Sequence, residues 1–88
     1  MVDPLDSTDR RLKVILIAER LAAADPRGLA SHADIISASM TEHGLTKGGA
    51  KMLLNRCYHQ GWLERPFRGC YRLTIKAYKR LEELGVAI

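Results

Sequence analysis

The stretch GWLERPFRGCYRLT, residues 61–74, constrains the fold more than any other part of the sequence. Two short runs, 62–65 and 70–73, have the composition of antiparallel strands, and residues 66–69 between them are typical of a turn in which Gly69 takes a positive φ. A two-stranded ribbon is only marginally stable alone and must lie against something else. The 88 residues leave room for one domain, so we expect the ribbon to pack on helices of that domain.

Four helices are predicted around this ribbon, from apolar residues at helical spacing and from capping residues. Asp6, Ser7 or Thr8 caps the first helix, which ends near Ala24, before Asp25-Pro26. The other three follow suitable N-cap residues, and glycines end the second and the fourth: the caps are Ser31, Thr46 and Thr74, and the glycines are Gly44 and Gly85.

The apolar residues of these helices define the predicted core. In the second helix the inward residues are Ala33, Ile35, Ile36 and Met40, and in the last they are Ala77, Tyr78, Leu81 and Leu84. Trp62, Tyr71 and Leu73 of the ribbon are expected to pack on the helices.

A single domain is predicted over residues 8–85, with a flexible N-terminus at 1–7 and an apolar tail at 86–88. No apolar run approaches the roughly 20 residues that span a bilayer. The N-terminal sequence MVDPLDSTD is acidic and polar, unlike a signal peptide. We therefore expect no membrane association and a cytoplasmic location.

Charge is distributed unevenly along the chain. Residues 1–45 hold five Lys/Arg and seven Asp/Glu, a net charge of −2. Residues 46–80 hold nine Lys/Arg against Glu64 alone, a net charge of +8, and Glu82 and Glu83 bring the total to +4. Such a concentration of positive charge is typical of a surface that binds a polyanion. The alternative is a solvated face whose neutralising acids come from elsewhere in the fold.

The third helix has two chemically different sides. Ala50, Leu53, Leu54 and Cys57 share one side, and Gly48, Asn55 and His59 share the other, flanked by Lys51, Met52 and Arg56. Asn pairs with adenine, and Lys or Arg with guanine or phosphate, so the outer side suits a DNA major groove.

Gly48 and Gly49 are unusual in the first turn of this helix, because each glycine costs about 1 kcal/mol relative to alanine. Either the missing side chains let the helix N-terminus approach a phosphate closely, or a neighbouring helix crosses tightly at this point. The sequence leaves both explanations open.

Three helices, a ribbon and a closing helix, with a basic third helix, resemble the winged helix-turn-helix family over roughly residues 8 to 85. The most specific stretch runs from Leu45-Thr46 to the GWLER and YRLT segments, and RGCYRL is similar to the hairpin of the AbiEi-type antitoxin winged-helix domain. The resemblance implies a mostly α fold with a three-helix core, a two-stranded wing and a C-terminal helix. It also implies that the third helix enters the major groove while the wing touches the backbone or the minor groove.

By position, the resemblance assigns DNA contacts to two sets of residues. The recognition-helix set is Thr46, Lys47, Gly48, Lys51, Met52, Asn55, Arg56 and His59, and the wing set is Arg65, Phe67, Arg68 and Arg72. There is no effector-binding domain and the wing is short, so a ligand-sensing role is not expected.

Two functions are compatible with these features. The first is a small sequence-specific protein that binds double-stranded DNA as a transcriptional regulator, as a homodimer through the first and last helices. The second is a protein-interaction adaptor or inhibitor, of the kind that a phage or plasmid encodes, which binds another protein through the same basic face with Met52 and Phe67.

An enzyme is not expected, because no paired carboxylates, nucleophile–base pair or phosphate loop are present. Cys57, His59 and Cys70 match no common zinc spacing, so no metal and no cofactor are expected.

Overall fold

The computed structural model describes residues 5–86, which form four helices and three strands. In chain order these are α1 (Arg10–Ala24), β1 (Ala30–Ser31), α2 (His32–His43), α3 (Lys47–His59), β2 (Leu63–Phe67), β3 (Cys70–Leu73) and α4 (Ile75–Glu83). The strands make an antiparallel sheet in the order β1-β3-β2. The mostly helical class with a small hairpin is confirmed, and the sheet has a third strand that the sequence did not predict. None of the helices in the described part of the chain is long and apolar enough to cross a bilayer.

Three of the four predicted helix caps are confirmed. The hydroxyl oxygens of Ser31, Thr46 and Thr74 each accept a hydrogen bond from the backbone N–H three residues on, at 3.0–3.2 Å. The predicted cap of α1 is wrong, because Asp9 occupies that position and accepts from the N–H of Arg11 at 2.9 Å. Asp6 instead closes the preceding turn by accepting from the N–H of Thr8.

The core forms around α1, which contacts α2, α3, β1 and β3. The side of α3 that was predicted to face inward does so: Ala50, Leu54 and Cys57 are buried and Leu53 is half-buried. The predicted burial of Trp62, Tyr71 and Leu73 is also confirmed.

Three residues predicted to face the core do not. Ala33 and Met40 of α2 are exposed, and the buried residues of that helix are Ile35, Ile36 and Ser39. Ser39 is accommodated in the core because its hydroxyl donates to the carbonyl of Ile35 at 2.7 Å. Tyr78 is exposed because α4 meets the rest of the protein through a narrow stripe centred on Ala77 and Leu81.

The core extends beyond the predicted start of the domain at residue 8. Leu5 is completely buried, and its carbonyl oxygen accepts a hydrogen bond from Nε of Arg80 at 2.6 Å. At the other end Val86, the first residue of the predicted tail, packs against the core. Residues 1–4 and 87–88 of the two predicted terminal segments lie outside the described residues.

The third strand joins the hairpin to the start of α2. Ala30 pairs with Tyr71 and Ser31 pairs with Cys70, after which the N–H of His32 donates to the carbonyl of Gly69 at 2.8 Å. The second hairpin strand has the predicted bounds, whereas the first covers residues 63–67 and not the predicted 62–65, so that only residues 68 and 69 form the turn. Gly69 has a positive φ, as predicted, of 76°.

Candidate nucleic-acid interface

One face of α3 is exposed because the opposite face supplies part of the core. On the exposed face Lys51, Asn55 and His59 follow one another at four-residue intervals, with Met52 and Arg56 beside them. The helix is therefore presented with its polar and cationic side chains toward solvent.

The exposed face of α3 and the hairpin enclose an open groove of about 670 Å³. We call it the α3–hairpin groove. Three cationic side chains line it together with an amide and an imidazole: Lys51, Arg65, Arg68, Asn55 and His32. Cationic side chains on both walls make the groove suited to an anionic, elongated ligand.

Arg65 is positioned over the groove by aromatic side chains. Its guanidinium carbon lies 5.0 Å from the centre of the Tyr58 ring, and Tyr58 meets Tyr71 edge-on with ring centres 6.2 Å apart. A cation–π contact of this kind contributes about 0.5–1 kcal/mol at an exposed site. Tyr58 of α3 and Tyr71 of β3 thus hold a hairpin arginine toward α3.

The other two predicted wing residues lie on the opposite face of the sheet. Side chains alternate along β3, so Tyr71 points inward while Cys70 and Arg72 point outward. Phe67, which is 67% exposed, is the register partner of Cys70 and shares that outer face. Nε of Arg72 donates to Glu64 at 2.8 Å, so the positive charge of Arg72 is partly neutralised. The α3–hairpin groove therefore contains Arg65 and Arg68 but not Phe67 or Arg72.

Most of the cations in the basic segment have no acidic partner. Among residues 5–86, carboxylates pair with Arg11, Arg20, Arg27, Arg72 and Arg80. No described carboxylate pairs with Lys47, Lys51, Arg56, Arg65 or Arg68. The alternative of a solvated face neutralised by distant acids does not hold for these five side chains in the described residues.

A second basic edge borders α3 on the side of α1. Arg56 lines a cleft of about 330 Å³ there with Arg10, Asp9 and Gln60, and it does not line the α3–hairpin groove. Asn55 and His59 on the exposed face of α3 therefore have cations on both sides. Sequence reasoning missed Arg10, because only the packing of α1 on α3 brings it to this edge.

The N-terminus of α3 is open, which excludes one of the two explanations for its glycines. A Cβ on Gly48 would meet nothing within 4 Å, and one on Gly49 would approach only the hydroxyl of Thr46, at 3.0 Å. No neighbouring helix crosses closely at this point, so the tight-crossing explanation is wrong. Lys47 and Lys51 border this end of the helix, above a mostly apolar groove of about 520 Å³ between α2 and α3.

His32 lines both grooves, although the sequence indicated only an ordinary surface histidine. Its placement follows from β1, whose pairing with β3 brings the start of α2 beside the hairpin turn. A strand of two residues has no recognisable pattern, so no sequence signal could have identified His32.

Cys57 is buried, and neither cysteine belongs to a group of potential metal ligands among the described residues. Burial raises the pKa of the Cys57 thiol to about 12, so the side chain is neutral and packs as a small apolar group. Within the described residues no three His, Cys, Asp or Glu side chains are grouped as metal ligands.

Comparison with protein-family models, curated proteins and solved structures gave no match to this chain. The functional assignment therefore depends on the geometry and charge of the α3 face and the hairpin.

Proposed function

We propose that this protein is a winged helix-turn-helix protein that binds double-stranded DNA in a sequence-specific manner and regulates transcription. The observation that carries the proposal is the exposed face of α3, which is flanked on both sides by cations that form no ion pair with a described carboxylate, the carboxylate of Asp9 on the α1 side being paired with Arg11. The element order and the β1-β3-β2 sheet support the winged-helix assignment, in which the β2–β3 hairpin is the wing.

The dimensions of duplex DNA suit this arrangement. A major groove about 12 Å wide accepts one α-helix, and the phosphates of both strands then flank the helix. In this docking Asn55 and His59 face base edges, while Lys51 and Arg65 on one side and Arg56 and Arg10 on the other face phosphates. Asn55 is the side chain with the strongest base preference, because its amide pairs bidentately with adenine.

The hairpin supplies affinity that is largely independent of sequence. Arg68 occupies the turn, with no carboxylate partner among residues 5–86, and lies beside Arg65 on the groove. Arginine at this position suits a phosphate or a narrow minor groove. Phe67 and Arg72 reach DNA only if the duplex also touches the outer face of the wing.

Fluorescence anisotropy with duplexes of random sequence, at low and at moderate salt, tests the proposal. We expect binding at low salt that weakens steeply as salt rises, because phosphate contacts release counterions. Arg68→Ala should weaken binding to all duplexes by a similar factor and lower the salt slope by about one. Arg27→Ala is the matched control, since Arg27 is an exposed arginine of the α1–β1 connection.

A selected binding sequence extends the test to base recognition. Asn55→Ala should relax the preference at one base, a loss of about 1–3 kcal/mol of discrimination, and leave the other positions unchanged. If Asn55→Ala and Arg68→Ala behaved alike, the division between base contact and phosphate contact would be wrong.

The second candidate function is a protein-interaction adaptor that uses the same basic face. Met52 and Phe67 favour it, since they are 54% and 67% exposed beside cationic residues, and Met, Phe and Arg are common in interfaces. The anisotropy experiment separates the two functions, because an adaptor of this kind requires no duplex binding. Absence of binding at low salt would overturn the DNA proposal in favour of the adaptor.

A further inference from the structure

Helix α4 presents an apolar face that the rest of the described chain does not cover. Ala77 and Leu81 of this helix are fully buried, whereas Ile75 is 77% exposed and Tyr78 is 44% exposed. Ile75 is the most exposed large hydrophobic residue among residues 5–86. With Lys79 and Glu82, these two side chains form the outer face of the helix at i, i+3, i+4 and i+7.

The charges on this face are arranged so that a second copy complements them. Lys79 and Glu82 are both exposed, and neither forms an ion pair within residues 5–86. Lys79 precedes two acids along the helix, Glu82 and Glu83, and Glu83 pairs with Arg80 of its own helix at 3.6 Å. When two such helices lie antiparallel, the cationic part of each lies beside the acidic part of the other.

Helix α1 does not offer a comparable surface. Its large apolar side chains are buried in the core or packed against it, and none of the exposed large hydrophobic residues of the described chain belongs to it. Both end helices were candidates for self-association from the sequence, and of the two only α4 has exposed large apolar side chains among the described residues.

We propose that two copies of the protein pack their α4 helices antiparallel about a two-fold axis. With the axis level with Arg80 and Leu81, the rise of 1.5 Å per residue brings Ile75 level with the region just past the C-terminal end of α4 of the second copy. The same register places Lys79 beside Glu82 and Glu83 of the second copy. Because the interface is isologous, each of these contacts occurs twice.

This self-association leaves the candidate DNA surface exposed. The outer face of α4 shares no residue with the α3–hairpin groove or with the Arg10–Arg56 cleft. The inference does not depend on DNA binding, although a two-fold dimer that binds DNA reads two half-sites.

Charge reversal tests this register without DNA. Variant A carries Lys79→Glu, and variant B carries Glu82→Lys with Glu83→Lys. By sedimentation equilibrium, we expect the wild type to dimerise in a concentration-dependent manner. Each variant alone should be monomeric, because like charges then face each other across the axis. An equimolar mixture of A and B should dimerise again, because every facing pair has become opposite in sign.

Lys13→Glu is the matched control for variant A, since Lys13 is an exposed lysine of α1, and it should dimerise like the wild type. Circular dichroism of each variant checks that the fold is intact. A monomeric wild type, a variant A that still dimerises, or a mixture that remains monomeric would each overturn the proposal. None of these outcomes bears on DNA binding, which the anisotropy experiment measures separately.

Discussion

Asp9 and Arg11 show how one short contact serves both a helix and the core. Asp9 caps α1 through the N–H of Arg11 and also accepts from Nε of Arg11 at 3.0 Å. The guanidinium of Arg11 is almost completely buried and also donates to the side chain of Gln60. The hydrogen bonds from Arg11 hold the pKa of Asp9 below its ordinary value, against the opposing effect of burial.

Replacing Asp9 by alanine should lower the free energy of unfolding by about 2 kcal/mol, because it removes a helix cap and one partner of a buried cation. The folded-state pKa of Asp9 is lowered, so its contribution is present above the unfolded-state pKa and is lost as pH falls through the folded-state pKa. Urea unfolding at pH 7 and at pH 3 measures both effects. Asp6→Ala is the control, and it should cost only a few tenths of a kcal/mol. An equal effect of both variants would contradict this role of Asp9.

The local hydrogen bonds of single residues could be predicted, and the distant ones could not. Ser31, Thr46 and Thr74 are recognisable because each bonds three residues ahead within its own helix. Asp9 caps α1 together with the side chain of Arg11, and Arg11 in turn donates to Gln60, 49 positions beyond Arg11 in the chain. No short-range pattern contains that information.

At the scale of elements, the sequence predicted α3 and the hairpin but not their relation to the third strand. Apolar spacing and turn residues define each of those elements locally, whereas β1 exists only through its pairing with β3. In the candidate site, too, the features defined locally were predictable and those that depend on strand pairing were not. Lys51, Asn55, Arg65 and Arg68 were predicted and are brought together, while the orientation of Arg72 away from them depends on strand register. That register shifts between Glu64 and Phe67, where Pro66 lacks a backbone donor.

The open N-terminus of α3 leads to a prediction in which stability and affinity change in opposite directions. Gly48→Ala should stabilise the protein by about 0.5 kcal/mol, because alanine favours a helix and its methyl group meets no neighbour. The same methyl group should weaken binding to duplex DNA if a phosphate approaches this backbone closely. Thermal unfolding and anisotropy measure the two effects.

Gly44→Ala is the control for this helix substitution. Gly44 ends α2 with a φ of 65°, which alanine adopts poorly, so the change should destabilise the protein by about 1 kcal/mol. Unchanged DNA affinity in Gly48→Ala would show that the glycine does not serve a phosphate contact.

At the scale of the whole molecule, the two ends of the described chain close the core together. Leu5 is buried and bonded through its carbonyl to Arg80 of α4, and Val86 after that helix packs on the same core. The sequence did not indicate this, because Leu5 lies in a segment without helical or strand periodicity. The hydrogen bond from Arg80 to the carbonyl of Leu5 also ties α4 to the N-terminal segment, and the outer face of α4 carries the proposed dimer contacts.

Leu5→Ala should therefore cost about 2–5 kcal/mol, the range for removing a fully buried leucine side chain, which is a large share of the stability of a small domain. Leu84→Ala is the matched control: it makes the same chemical change at a half-buried position and should cost clearly less. Urea unfolding monitored by fluorescence of Trp62 gives both values. Neither residue lines the α3–hairpin groove, so the folded Leu5→Ala protein should keep the DNA affinity of the wild type. A cost for Leu5→Ala no larger than that for Leu84→Ala would place Leu5 outside the core and restore the domain boundary predicted at residue 8.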